Sequence, residues 1–185
     1  MPWVCTSVLF GGRTSQLKDY SALSGRRCSQ VGWLLPYGRR VLQIQVLRLD
    51  ADLPLPVAAQ AGDAGVDLLA RVGVELAPGG GRALVPTGIA IGLEEGWCAL
   101  VLPRSGLAVR HGVTVLNAPG LIDAGYRGEI MVPLVNLDPV EPYLVTRGDR
   151  IAQLMVQSVT QIVWAEATEL SSSSRGPGGF GHTGR

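Results

Sequence analysis

Two short apolar runs lie in residues 110–129, which read RHGVTVLNAPGLIDAGYRGE, and each run ends in a polar residue, Asn117 or Asp123. A proline directly before Gly120 separates the two runs. This pair is a strong turn signal, because proline fixes φ and glycine accepts a positive φ without steric cost. The stretch therefore predicts a β-hairpin that presents an amide, a carboxylate and, three residues on, the phenol of Tyr126. Taken alone, the stretch is more typical of an ordinary hairpin whose tip is polar because it contacts water.

Short apolar segments with Gly and Pro between them recur along the rest of the chain. Candidate strands lie at 66–69, 72–76, 85–91, 98–102, 130–137, 143–145, 151–157 and 162–164, after an alternating segment at 41–46. Residues 105–110, SGLAVR, are typical of a single helical turn capped by Ser105. Short strands at such close spacing predict an all-β sandwich, jelly roll or barrel.

Length and composition favour one globular domain with tails. The chain has 185 residues, of which 46% are hydrophobic and 17% charged, a balance that is unlike that of disordered chains. No apolar run approaches the roughly 20 residues that span a bilayer, so no membrane association is expected. The three cysteines are scattered and form no CxxC pair, which favours a reducing cytoplasm over a disulfide framework.

Charge and residue usage exclude several classes of function. Residues 1–40 hold six basic residues and one acidic residue, a net charge of +5, and the remainder of the chain therefore carries −4. An acidic main body offers no general phosphate-binding face, so stable nucleic-acid binding is not expected. The only lysine is Lys18, which excludes a P-loop or Schiff-base lysine from the main body. Two histidines without a cysteine cluster argue against protein-ligated zinc.

The chain divides into three parts by composition. Residues 1–40 lack sustained periodicity and predict a poorly ordered extension, 41–170 form the β domain, and 171–185 are a flexible glycine-rich arm. No methionine lies between Met1 and Met131, so Val41 is a candidate translation start encoded by a valine codon, which the intact mass of the natively expressed protein would test. Composition alone favours a disordered tail for the arm. An aromatic side chain among its glycines instead suggests a mobile segment that stacks on a base.

Five segments combine glycine with arginine, hydroxyl, amide or carboxylate groups. They are DAGVDLL at 63–69, PRSGLA at 103–108, NAPGLIDAGYRGE at 117–129, RGDRIAQL at 147–154 and RGPGGFGHTG at 175–184. In this order they closely resemble the five motifs of the homotrimeric dUTPase family, over about residues 41–185. The resemblance implies a jelly-roll-like β-clip fold with one short helical turn. It also implies hydrolysis of dUTP to dUMP and pyrophosphate by attack of water on the α-phosphorus, which limits uracil incorporation into DNA and supplies dUMP for dTMP synthesis.

The same resemblance implies roles for residues in the opening stretch. Asp123 matches the catalytic base, and a carboxylate can orient a water molecule and accept its proton. Asn117 matches the reader of the uracil edge, since an amide both donates and accepts, and main-chain groups at Gly120 and Ile122 complete that readout. Tyr126 matches the residue that packs under deoxyribose and leaves no room for a 2′-hydroxyl. The alternatives are a turn-capping aspartate and an ordinary half-buried tyrosine.

Further residues are implied to hold the triphosphate and to close the site. These are Arg104, Ser105, Gly106, Gln153, Arg175, Phe180, Gly181 and Thr183. In the family, Phe180 corresponds to the aromatic residue that stacks over uracil when the arm closes. His182 departs from the family pattern, which usually has serine there, so the phosphate contact at this position is in doubt.

The resemblance also implies a cofactor, an assembly and two rival functions. Mg²⁺ would sit on the triphosphate with Asp67 in its outer shell through water, and no direct protein ligand is expected. The partners would be dUTP and two further copies of the chain, in a cytoplasmic homotrimer with shared active sites. The rivals are a dCTP deaminase-related or bifunctional enzyme, and a regulatory module that binds nucleotide without turnover.

Overall fold

The computed structural model describes residues 42–177 of the chain. The predictions made for residues 1–40 and for Phe180, Gly181, His182 and Thr183 lie outside this range. The elements of the described part are β1 (Gln45–Arg48), β2 (Val66–Leu69), β3 (Val74–Leu76), β4 (Gly81–Pro86), β5 (Ile89–Gly92), β6 (Trp97–Leu102), α1 (Ser105–His111), β7 (Val113–Val115), β8 (Gly120–Ile122), β9 (Met131–Asn136), β10 (Tyr143–Val145) and β11 (Arg150–Ser158). The predicted all-β class with one short helical turn is confirmed.

Every strand pairing in the described part is antiparallel. A four-stranded sheet has the order β2-β11-β6-β8, and a three-stranded sheet has the order β4-β9-β7. Two further pairs, β1-β5 and β10-β3, complete the fold. Strands adjacent in sequence are seldom adjacent in a sheet, so the architecture depends on contacts between residues far apart in the chain.

Alternating burial along β4, β6 and most of β9 assigns one face of each of the two larger sheets to the core. In β9, Val132 and Leu134 are fully buried, and in β6 the inward residues are Ala99 and Val101. Full burial of a Val or Leu side chain stabilises the fold by about 1.5–3 kcal/mol. The period of two therefore fixes the register, because a slip of one residue would expose this apolar face. No helix in residues 42–177 is long and apolar enough to cross a membrane.

Several local predictions differ from the structure. The stretch 110–129 is not a hairpin, because β7 pairs with β9 while β8 pairs with β6. The segment 85–91 is two strands, since Gly88 adopts a positive φ of 76° between them. Residues 162–164 form no strand and are exposed. These residues have the composition of a strand, but within the described part of the chain no other strand pairs with them.

The buried amide of Asn136 joins three segments at the end of β9. Its Nδ2 donates to the carbonyl of Leu76, at 3.2 Å, and to that of Glu141, at 2.8 Å. Its Oδ1 accepts from the backbone N–H of Asp138 at 3.0 Å. The side chain is fully buried, so each of these bonds replaces a bond to water that burial has removed.

We predict that Asn136→Ala lowers the free energy of unfolding by about 3 kcal/mol, because it leaves buried main-chain groups without partners. Denaturant unfolding at matched protein concentration measures the change. The exposed Asn117 provides a control, since Asn117→Ala should alter stability by no more than about 0.5 kcal/mol. Equal unfolding midpoints for the two variants would contradict the prediction.

Candidate active site

A pocket of about 190 Å³ lies beside the β6–β8 ladder. Its lining residues are Val101, Asn117, Gly120, Leu121, Ile122, Asp123, Tyr126, Ile130, Met131 and Pro133. The structure thus brings together all five pocket residues predicted from the opening stretch. Ile122 is buried in the core, so main-chain groups are what this residue can offer a ligand.

At Gly120, neighbouring side chains leave little room for a Cβ atom. This glycine begins strand β8 opposite Val101 and does not adopt the left-handed φ predicted for it. A Cβ at this position would lie 3.3 Å from Nδ2 of Asn117 and 3.3 Å from Cβ of Val101. The missing side chain therefore lets the Asn117 amide lie close against the sheet inside the pocket.

Asp123 and Tyr126 follow β8 in a tight turn. The backbone N–H of Tyr126 donates to the carbonyl of Asp123 at 3.1 Å, and both residues are exposed to solvent. The Tyr126 hydroxyl donates to the carbonyl of Glu129 at 2.9 Å. The turn thus sets a carboxylate and an aromatic ring side by side at the pocket rim, where a water molecule and a sugar could meet.

A second group of polar side chains lies on β2, on β11 and at Arg104, directly before helix α1. Arg104 Nε is 3.0 Å from Oδ1 of Asp67, and Arg150 Nη1 is 3.7 Å from Oδ2 of the same carboxylate. Arg104 also donates from Nη1 to the carbonyl of Arg150 at 3.1 Å. Gln153 is the direct cross-strand partner of Asp67. Two guanidinium groups around one carboxylate leave a net positive charge, which suits a polyphosphate.

Arg150 belongs to this group although sequence reasoning had assigned it no role. In the RGDRIAQL segment, the family resemblance implies a phosphate contact only for Gln153. The sequence does show two arginines in this segment, Arg147 and Arg150, and either could bind an anion. Their separate roles could not be deduced from it, because Arg150 is placed beside Asp67 by the pairing of β11 with β2.

The start of helix α1 carries two further predicted phosphate contacts, Ser105 and Gly106. The predicted serine cap is wrong, because Arg104 is the N-cap residue and no side chain caps the helix. Ser105 is the first helical residue and is exposed. A Cβ at Gly106 would lie 3.0 Å from Nη2 of Arg110, so this glycine gives that side chain room.

Arg175 is the one arm residue with a predicted substrate contact that lies within the described residues 42–177. It is exposed in a turn in which the backbone N–H of Gly176 donates to the carbonyl of Ser173 at 3.1 Å. The other predicted arm contacts fall outside the described residues.

The carboxylate of Asp50, outside the pocket lining, is held by two arginines. Arg147 Nη1 donates to Oδ2 at 2.5 Å and Nη2 donates to Oδ1 at 3.0 Å. Nε of Arg71 lies 3.5 Å from Oδ2. Hydrogen bonding by Arg147 is the main cause that lowers the pKa of Asp50 from 3.8 to about 2, and desolvation partly opposes it.

Known proteins are similar to this chain both in sequence and in fold. The dUTPase family model matches residues 51–184. The deoxyuridine 5'-triphosphate nucleotidohydrolase of Thermobifida fusca is 59% identical over 143 residues, which cover 77% of this chain and 79% of that protein. The dUTPase of Staphylococcus bacteriophage 80alpha, solved with dUPNHPP, has 26% identity and a TM-score of 0.72, covering 78% of this chain and all of the phage chain.

A third similar structure is a variant of the dUTPase from phage phi11 of S. aureus, described with a structural Mg(II) ion. It has 24% identity and a TM-score of 0.63, and the alignment covers 71% of this chain and all of that one. At this identity the likeness concerns the fold alone. The solved relatives confirm the predicted β-clip fold of the dUTPases.

The lowered pKa of Asp50 predicts a specific acid sensitivity. Because the folded-state pKa lies below the unfolded value of 3.8, ionised Asp50 stabilises the fold above that value, and this contribution disappears as the pH falls toward about 2. We expect Asp50→Asn to lose less stability than the parent between neutral pH and about pH 3. Denaturant unfolding at the two pH values measures the difference, and Glu94→Gln, on the exposed turn before β6, is the control. An unchanged acid sensitivity of Asp50→Asn would contradict this assignment.

Proposed function

The chain belongs to the dUTPase family, and we propose that it hydrolyses dUTP to dUMP and pyrophosphate with Asp123 as the base that activates the attacking water. The observation that carries the proposal is the pocket in which Asn117, Asp123 and Tyr126 meet. An amide, a carboxylate and an aromatic ring in one small cavity match a uracil edge, a nucleophilic water and a sugar. The reaction removes dUTP from the pool available to DNA synthesis and yields dUMP.

Recognition of uracil rests on Asn117 and on the main chain of β8. The amide of Asn117 can donate to one uracil oxygen and accept from the ring N–H. Main-chain groups at Gly120 and Ile122 supply the remaining hydrogen bonds. A cytosine edge reverses the donor pattern and would leave the Asn117 amide unpaired, which costs more than a weakened contact.

The triphosphate is assigned to Arg104, Ser105, Gly106 and Gln153, with Arg175 and the arm residues Phe180, Gly181 and Thr183 closing over it. The guanidinium group of Arg104 can bind a phosphate through two N–H groups at once. Gln153 lies across the strand from Asp67, on the same outer face. Closure of the arm would exclude bulk water while the phosphate chain is held for attack.

Mg²⁺ is proposed to arrive with the substrate. Within residues 42–177, no group of three or more His, Cys, Asp or Glu side chains could hold a metal ion. A single carboxylate near the phosphates fits an ion that is held mainly by phosphate oxygens and water. Asp67, inside the arginine group, is that carboxylate. When bound, the ion neutralises phosphate charge, and every proton transfer remains with the protein.

Gln153 and Gly120, one from each half of the proposed site, lie on opposite faces of the four-stranded sheet. Gln153 pairs with Asp67 and with Leu102, so these residues share the outer face. Gly120 pairs with Val101, which is buried on the inner face. Since directly paired residues point to the same side of a sheet, Gln153 and Gly120 of one chain face away from each other. We therefore propose a homotrimer in which neighbouring subunits complete each site.

Exposed apolar side chains support this assembly. Val46 and Leu47 on β1, Leu144 on β10, and Val163 and Trp164 after β11 are all exposed in the single chain, Trp164 by 89%. Subunits that pack against β1, β10 and the segment after β11 would cover these side chains. The free thiol of Cys98 fits a cytoplasmic enzyme.

The rival functions receive less support from the pocket. A pyrimidine deaminase would need a glutamate base there, and Asp123 is the only acidic residue among the described lining residues. A regulatory module without turnover would not need a carboxylate beside the sugar position. Incubation with dUTP, dCTP, dTTP and UTP in parallel separates the three cases, because ammonia from dCTP identifies a deaminase and binding of dUTP without pyrophosphate release identifies a regulator.

Asp123→Asn should keep dUTP binding and lower kcat by about 10²–10⁴-fold, the range expected for loss of a general base. Pyrophosphate release under saturating dUTP with Mg²⁺ gives kcat, and dUPNHPP titration gives the affinity. A near-normal kcat would remove Asp123 from the role of base.

Deletion of residues 175–185 should leave a folded assembly that turns over dUTP poorly. The decisive experiment coexpresses this truncation with full-length Asp123→Asn. If different subunits supply the arm and the base, random assembly leaves about one quarter of sites complete, and activity returns. If both come from one subunit, the mixture stays as inactive as its components, and the shared-site proposal is wrong.

A further inference from the structure

The Tyr126 ring is folded back over the chain that follows it. An ideal Cβ on Gly128 would lie 2.5 Å from the tyrosine hydroxyl oxygen and 2.7 Å from the ring carbon that bears it. Only a glycine can therefore lie beneath this ring in its observed position. The hydroxyl donates to the carbonyl of Glu129, so the ring rests on the backbone of the next three residues.

The carboxylate of Glu129 fixes that backbone to the rest of the fold. Its Oε1 accepts from the backbone N–H of Gly88 at 2.7 Å, and its Oε2 lies 3.3 Å from Nη1 of Arg71. The next residue, Ile130, continues the attachment through a bond from its N–H to the carbonyl of Ile89 at 2.9 Å. Glu129 is not among the residues that line the pocket.

Arg71 is itself held in place on three sides. Its Nη2 donates to the carbonyl of Leu49 at 3.1 Å, and its Nε lies 3.5 Å from Asp50. Arg147 binds both carboxylate oxygens of Asp50 and also donates to the carbonyl of Arg71 at 2.9 Å. The side chain that faces Glu129 is therefore preorganised, and it costs little further entropy to hold the carboxylate.

We propose that Glu129 is a positioning residue that holds the Tyr126 ring against the sugar and so sets the preference for deoxyribose over ribose. The inference rests on the proposed placement of Tyr126 beneath the sugar. A ring that excludes one hydroxyl group must be held to within a fraction of an ångström. The ring has this constraint because both its hydroxyl contact and the backbone beneath it are attached to Arg71 and Gly88 through Glu129.

The test compares kcat/KM for dUTP and for UTP in purified full-length protein with Mg²⁺. Glu129→Gln keeps an oxygen for the Gly88 N–H and loses the charge that faces Arg71, whereas Glu129→Ala loses both contacts. We expect the dUTP/UTP ratio to fall by about tenfold in Glu129→Ala and by less in Glu129→Gln, the scale at which a loosened pocket stops rejecting a single hydroxyl group. Glu94→Gln is the matched control and should leave the ratio unchanged.

Arg71→Gln, its combination with the Glu129 substitution, and Tyr126→Phe test the same proposal if Glu129→Ala folds poorly. Arg71→Gln removes the same ion pair from the scaffold side and should lower the ratio as Glu129→Gln does. In the double variant the effects should not add, since the two substitutions break one interaction. Tyr126→Phe removes only the hydroxyl bond to Glu129 and should lower the ratio while the anchor remains.

The outcomes distinguish this inference from the proposed function. A purely structural role for Glu129 would lower kcat/KM for both nucleotides in proportion and leave the ratio intact, which would overturn the inference alone. Parent protein that does not prefer dUTP over UTP would overturn the placement of Tyr126 and the inference together. A changed ratio with a near-normal kcat for dUTP is the expected result.

Discussion

The pairing of β11 along both of its edges is the constraint on which the rest of the molecule depends. Its residues pair with β2 on one side and with β6 on the other, which satisfies main-chain groups that burial would otherwise leave without partners. The alternation along β11 then divides the site. Gln153 points outward with Asp67, while Leu154 points into the core with Val101. One strand thus fixes the positions of Asp67 and Gln153, which are proposed to lie beside the phosphates, and, through β6 and β8, of the pocket.

Local patterns in the sequence predicted the kinds of element well and their partners poorly. Alternation and turn residues identified most strands, because half-buried strands have a period of two. The same patterns made 110–129 a hairpin, since a Pro-Gly turn between apolar runs carries no information about which distant strand each run will join. Residues 162–164 failed for the related reason that strand propensity forms no strand without an edge to pair with.

The candidate site divides in the same way. The candidate residues could be named because five segments, in order, resemble the motifs of the dUTPase family. The residues that hold them in place could not, since Arg71 meets Glu129 across 58 positions of sequence and Arg104 meets Asp67 across 37. Such contacts are produced by sheet topology, and the spacing of residues along the sequence does not predict them.

Glycine has two different uses beside the functional side chains. Gly120 makes room for the amide of Asn117, and Gly128 makes room for the ring of Tyr126, both by lacking a Cβ. Gly88 instead turns the chain with a positive φ and presents its N–H to Glu129. The side chains proposed to contact the uracil and the sugar, Asn117 and Tyr126, therefore both lie close to bare backbone, which cannot adjust as a flexible side chain can. Asp123 shares the pocket, but its carboxylate makes none of the contacts with Glu129 or Gly88, so loosening the Tyr126 ring would leave the carboxylate proposed as the general base in place.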